Sequence, residues 1–114
     1  MTLVSIQCGS VTDLLSAGSC EWWDKPWQTA FHKQPVVGPV QAGALGLAGD
    51  AQADLANHGG PDKAICVYPA SHYPHWRSTL NLPDLPHGSF GENFTLADAT
   101  EDDVCIGDVF RIGG

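Results

Sequence analysis

Positive charge is what this chain has least of. Its 114 residues carry five Lys and Arg against 13 Asp and Glu, for a formal net charge of −8 at pH 7. Such a surface cannot displace counterions from a phosphate backbone, and an anionic membrane repels it, so nucleic-acid and membrane partners are excluded. Any anion-binding pocket must draw on Lys25, Lys33, Lys63, Arg77, Arg111 and backbone N–H groups. No stretch approaches the ~18 apolar residues of a membrane span, and the N-terminus has neither a basic segment nor a long apolar one. The four cysteines (Cys8, Cys20, Cys66 and Cys105) form no CxxC pair. Free thiols in a reducing, cytoplasmic compartment are the expectation.

What is present fits one domain spanning 1–114. Hydrophobic residues make up 43% of the chain, enough for a modest core. Thirteen Gly and eight Pro demand frequent turns and leave little room for long helices. Leu3–Cys8 reads as a buried first strand and Ala64–Tyr68 as another. Thr12–Ala17 could make a short helix. Trp22, Trp23 and Trp27 surround Lys25-Pro26 as a clamp on the core, or as a stacking platform for a planar ligand. Thr29–Phe31 can extend into a strand, and Gly43, Gly46 and Gly49 mark tight turns. Pro69 suits the start of a helix running to about Leu80, with Pro74 kinking it or delaying its start. Phe90–Leu96 alternates weakly. Val104–Ile106 and Val109–Ile112 flank Gly107-Asp108 as a strand–turn–strand. Short strands with one good helix predict a mainly-β barrel or sandwich.

Three stretches could carry chemistry. In His58-Gly59-Gly60-Pro61-Asp62-Lys63, two glycines let the backbone approach a ligand and expose N–H groups to an anion. Lys63 adds a charge suited to phosphate, and Asp62 could orient Lys63 or His58. The plainer alternative is a tight turn capped by His58. In Thr29–Pro35 a hydroxyl, the Lys33 ammonium and an amide come together before a break, unless Lys33 is an ordinary surface lysine. In Phe90-Gly91-Glu92-Asn93-Phe94-Thr95, Asn93 could bond a heterocycle edge through its donors and its acceptor, or make an Asx-type turn. A divalent metal held by Asp54, His58, Asp62 and His72 matches no strong spacing template. A Cys–His nucleophile pair is weaker still, because Cys66 and Cys105 sit in apolar runs where thiols are usually inert.

These stretches occur in a fixed order: Lys33-Gln34-Pro35-Val36 with Gly38-Pro39-Val40; Gly46-Leu47-Ala48-Gly49-Asp50 with Gln52-Ala53-Asp54; His58–Ala64; Tyr68-Pro69-Ala70 with His72-Tyr73; Phe90–Thr95; and Gly107-Asp108. The ordered set resembles the YiiM-type branch of the MOSC family (molybdenum cofactor sulfurase C-terminal domain) from about residue 2 onward. The resemblance implies a twisted, mostly antiparallel β-barrel with one or two short helices. It implies a molybdenum cofactor (molybdopterin) and reduction of N-hydroxylated compounds, including toxic base analogues. The partners it implies are a small-molecule substrate and a separate electron-donor protein, with a homodimer left open. Asn93 falls where related domains contact the pterin. Lys33, His58 and Lys63 would line the same anionic pocket, with Gly59, Gly60 and Lys63 suited to the phosphate. Glu92 could shape the pocket.

In the family a cysteine thiolate ligates molybdenum, beyond the strand that follows the Gly-Asp. The chain stops at Gly114, and none of its cysteines occupies that position. The expectation is therefore the N-terminal portion of a MOSC domain: an incomplete barrel with no assigned metal ligand or catalytic residue, active only within a longer chain. The alternatives are a non-catalytic molybdopterin or sulfur carrier, an inert fragment, and a metal-dependent hydrolase.

Overall fold

A computed structural model describes residues 1–14 and 27–114. The rest of the expected Thr12–Ala17 helix, together with Trp22, Trp23, Lys25 and Cys20, lies outside the described residues. The buried first strand predicted from Leu3–Cys8 is β1 (Thr2–Cys8), an inner strand of the largest sheet, but only Gln7 in it is buried and Val4 is exposed. On one side it pairs antiparallel with β4 (Gln34–Pro35). On the other it pairs antiparallel with β8 (Phe94–Ala97), with a register shift between Leu3 and Ser5. Beyond β8 lies β7 (Val67–Pro69), parallel to it. A parallel pair needs a long crossover, and residues 70–93 supply it. Two small antiparallel pairs complete the described strands: β2 (Thr12–Leu14) with β3 (Trp27–Thr29), and β5 (Ala42–Gly43) with β6 (Gly46–Leu47). The protein is thus mainly β and mostly antiparallel, with one short α-helix. Among the described residues the four-stranded sheet is open and does not close into a barrel.

The helix starts late, for the reason its prolines suggest. Ala70–His72 forms one 3-10 turn, and α1 (Tyr73–Thr79) follows with Pro74 in its first turn, where a missing N–H is harmless. Asn81 ends it at φ 54, the left-handed position that closes a Schellman motif. Leu82 N–H donates to the Arg77 carbonyl and Asn81 N–H to that of Ser78. The buried face of α1 is Tyr73, with no exposed surface. Its ring lies 4.8 Å from His87 and 5.5 Å from Phe90, and Tyr68 stacks 4.7 Å from Phe90. Trp76 Nε1–H donates to the Tyr68 hydroxyl. This aromatic cluster seats the crossover on the sheet.

Among the described residues the buried interior is as polar as it is apolar. Tyr73, Phe94, Leu47, Ala30 and Ala99 are buried, and so are Gln7, Thr29, Glu92, Asn93 and Thr95. Buried polar groups must be hydrogen-bonded, and Glu92 shows how this is met. Its carboxylate accepts from the Tyr73 hydroxyl, Thr95 Oγ1–H, Gly88 N–H and Phe90 N–H. One side chain thereby ties the 88–91 turn, α1 and β8 together. Burial, then the Glu92 hydrogen bond and charge, hold the Tyr73 phenol far above its usual range. Glu92 therefore organises the loop beneath the site and does not line a ligand pocket.

Several sequence expectations need correction. Thr12–Leu14 is a strand, because it finds Trp27–Thr29 as a partner. Ala64–Tyr68 is neither fully buried nor fully extended; only Val67–Pro69 joins the sheet, and Cys66 and Val67 are exposed. Val104–Ile106 and Val109–Ile112 form no ladder. Asp108 closes the turn through Cys105 N–H and O, but the flanking apolar residues have no strand to pair with and stay exposed. Trp27 is 54% exposed, so it does not clamp the described core. No described helix is long and apolar enough to cross a membrane.

Removing the Glu92 carboxylate leaves buried donors without an acceptor. Glu92→Ala is expected to destabilise the fold by about 3 kcal/mol or more, and Tyr73→Phe by about 1 kcal/mol. The shift of the urea midpoint in each variant checks both values.

Candidate functional site

The site grows from a turn that the sequence pattern marked but did not explain. After β6, Gly49 (φ 87) turns the chain and Asp50 points inward. Its side chain is 1% exposed, and its carboxylate meets the ammonium of Lys33, whose side chain is 7% exposed, at 2.7 Å. The oxygen that accepts from Lys33 also accepts from Gly9 N–H at 2.9 Å, past the end of β1. The other accepts from Asn93 Nδ2 at 2.8 Å, just before β8. Lys33 Nζ donates a second proton to the Ala51 carbonyl. Asn93 Nδ2 also donates to the Gln7 carbonyl, and Asn93 Oδ1 accepts from Cys66 N–H. A buried pair of this kind holds only because each charge is matched and further hydrogen-bonded.

Beside this wall opens a cavity of about 670 Å³, within the size range of small-molecule sites. Lys33, His58, Gly59, Lys63 and Asn93 all line it. Gly60, also singled out from the sequence, is the neighbouring turn residue and does not line it. The turn brings the cationic end. Lys63 is exposed and donates to the Asn57 carbonyl, which leaves ammonium protons free. Gly59 and Gly60 both sit at φ 80. A Cβ on Gly59 would fall 2.7 Å from Gln52 Oε1, a flexible side-chain end that can move aside, so it is the positive φ that favours glycine there. Among the described residues, neither glycine N–H donates to a protein acceptor. Two carboxylates, Asp54 and Asp62, share this rim. Asp54 accepts from Asn57 Nδ2 and from the Ala56 and Asn57 backbone, and these bonds, the Asn57 side chain foremost, hold its carboxyl below the usual range.

Two aromatic rings also belong to the cavity. Phe31, Phe90 and Gly91 all line it. Gly91 has φ 76, and a Cβ there would lie 2.7 Å from the Phe31 ring, so the glycine lets that ring lie on the backbone. Phe31 is 51% exposed, an apolar surface left open at the mouth.

Two sequence readings change. Asn93 cannot present its full amide edge to a ligand: both donors and one acceptor position are already used, and one lone pair on Oδ1 remains. Lys33 is not a free cation but half of a neutral pair. Sequence reasoning missed Asp50, Phe31 and Cys66 as parts of the site. Asp50 stood in a quoted stretch, and the signal that could have found it is electrostatic, since a buried lysine in an acidic chain needs a carboxylate. The alternative metal set does not assemble. His72 bonds Glu101 instead, and among the described residues no three His, Cys, Asp or Glu side chains converge.

Cys66 was read as a buried thiol, but it is exposed and lines the cavity. The wall around it still raises its pKa. Desolvation is the main cause, the Glu92 carboxylate adds to it, and Lys33 partly offsets both. In a Cys8→Ser, Cys20→Ser, Cys105→Ser background, iodoacetamide is expected to reach half its limiting rate at a higher pH with the folded chain than with the urea-unfolded chain. Equal midpoints would show that the wall has no hold on the thiol.

The comparisons with known proteins agree with this architecture. The MOSC domain family model matches residues 54–114. YflK of Bacillus subtilis (strain 168) is 52% identical over 92 residues, covering 81% of this chain and 41% of that protein. A reductase of Gibberella moniliformis is 39% identical over 87 residues, 75% of this chain and 15% of that protein. The crystal structure of YiiM from Geobacillus stearothermophilus superposes with a TM-score of 0.62 at 34% identity, over 93% of this chain and 43% of that one. The chain thus spans less than half the length of these relatives. With the family model covering more than half of its residues, the chain belongs to the MOSC domain family.

Proposed function

We propose that the cavity holds a molybdopterin-type cofactor and that the chain serves as the cofactor-binding part of an oxidoreductase acting on N-hydroxylated compounds, base analogues among them. The observation that carries this reading is convergence. Five residues chosen for a pterin pocket, from three separate stretches of sequence, line one cavity of suitable size. The donor set also suits such a group. The unspent Gly59 N–H and the Lys63 ammonium can take a phosphate, and Phe31 and Phe90 can cover a planar ring. MOSC membership and the likeness to a protein named as a reductase support the redox class.

The bound cofactor would supply the two-electron redox centre that removes oxygen from nitrogen. The net change is R–NHOH with two electrons and two protons giving R–NH₂ and water, the electrons coming from a separate donor protein. The chain's own residues bind and orient. Lys63 and the glycine turn fix the anionic end, Asn93 and Lys33 define the far wall, and Phe31 shields the ring from water. Asp62 on the rim opposes an anion and sets an upper limit on affinity.

Loading the chain with cofactor, supplying an artificial reductant and following amine formation tests the reading. Saturable cofactor binding is expected, weakened about tenfold or more by Lys63→Ala and strengthened by Asp62→Asn. Binding with no amine formed would favour a carrier role for this stretch. No saturable binding at all would overturn the proposal.

A further inference from the structure

We propose that Asp50 is a positioning residue that divides the cavity into a charge-neutral end, which takes an uncharged hydrogen-bonding ring, and a cationic end at the Gly59–Lys63 turn, which takes an anion. The inference deepens the cofactor reading and rests on it. Lys33 and Lys63 both line the cavity, so their residue types alone would spread positive charge across it. The geometry does otherwise. Asp50 meets Lys33 at 2.7 Å with both side chains nearly fully buried, so the Lys33 charge is cancelled where it stands. The Ala51 carbonyl takes a second Lys33 proton. Asn93 is held by the same carboxylate, by the Gln7 carbonyl and by Cys66 N–H.

What this wall still offers a ligand is small and specific: one N–H on Lys33 and one lone pair on Asn93 Oδ1. A single donor beside a single acceptor matches the edge of a neutral heterocycle and makes a poor seat for a phosphate. Phe31, two residues from Lys33, and Phe90, three from Asn93, also line the cavity and supply apolar faces for such a ring. At the turn the pattern is reversed. Lys63 has no acidic partner within ion-pair distance among the described residues, and two adjacent N–H groups are unspent. A ligand with a planar head and an anionic tail would therefore bind in one orientation only, and Asp50 would set that orientation without touching the ligand.

The test uses the isotope-labelled chain, with NMR amide shifts to locate each probe and measure its affinity. Inorganic phosphate is expected to perturb residues 59–63, and uncharged pterin to perturb residues 31–33, 66 and 91–93. Asp50→Asn uncovers the Lys33 charge. It is expected to strengthen phosphate binding several-fold and to move part of the phosphate response to residues 31–33, whereas a merely structural role for Asp50 would leave affinity unchanged or lower it. Should Asp50→Asn fail to fold, the charge-neutral double variant Lys33→Met, Asp50→Asn carries the test. It is expected to bind phosphate within about twofold of the unmodified chain. Loss of phosphate binding in a folded double variant, as deep as in Lys63→Ala, would overturn the proposal, because Lys33 would then be reading the anion. Failure of the unmodified chain to bind either probe would instead sink the cofactor reading beneath it.

Discussion

One buried carboxylate fixes the relation between three parts of the chain. Asp50 reaches Gly9 past the end of β1, Lys33 ahead of β4, and Asn93 ahead of β8. Each of these segments is short, and the hydrophobic core they enclose is small. With so few buried apolar side chains among the described residues, packing alone does not set the ends of these strands. The polar network does part of that work, and it does so next to the cavity. The residues that hold the sheet in register are therefore the same residues that give one wall of the site its shape. Glu92 plays the matching part on the other side of Asn93, tying the 88–91 turn to α1 and β8. Adjacent residues thus point to opposite tasks: Glu92 into the support, and Asn93 into the wall.

This arrangement explains why the residue types in the site are misleading when counted one by one. Lysine suggests a free cation, and an asparagine near a pocket suggests amide recognition. In the structure Lys33 is neutralised and Asn93 is nearly saturated, while exposed Lys63 and two glycine N–H groups remain available. Gly59 and Gly91 both sit at positive φ beside this cavity, with the Phe31 ring lying close against Gly91.

Much of the fold was legible in the sequence wherever local signals decide. Leu3–Cys8 became an inner strand, and of the two outcomes that Pro74 left open, a kink or a late start, α1 takes the late start. Glycine spacing marked the turn at Asp50, and the ordered stretches pointed to the family. What was not legible depended on partners. Thr12–Leu14 is extended because Trp27–Thr29 lies beside it, and Val104–Ile112 lacks a ladder because no described strand meets it. Cys66 lies in an apolar run, yet it is exposed because the chain beside it lines a cavity. Residues that line the cavity could be named by type and order, but their hydrogen-bond partners could not, since whether a lysine is free or paired is settled by a carboxylate distant in sequence.

The most direct test of the account is a crystal structure of the chain with a molybdopterin-type ligand bound. The account requires the phosphate at the Gly59–Lys63 turn and the ring beside Phe31, against the wall held by Asp50. A phosphate on Lys33 with the ring at Lys63, or a ligand seated outside this cavity, would contradict it.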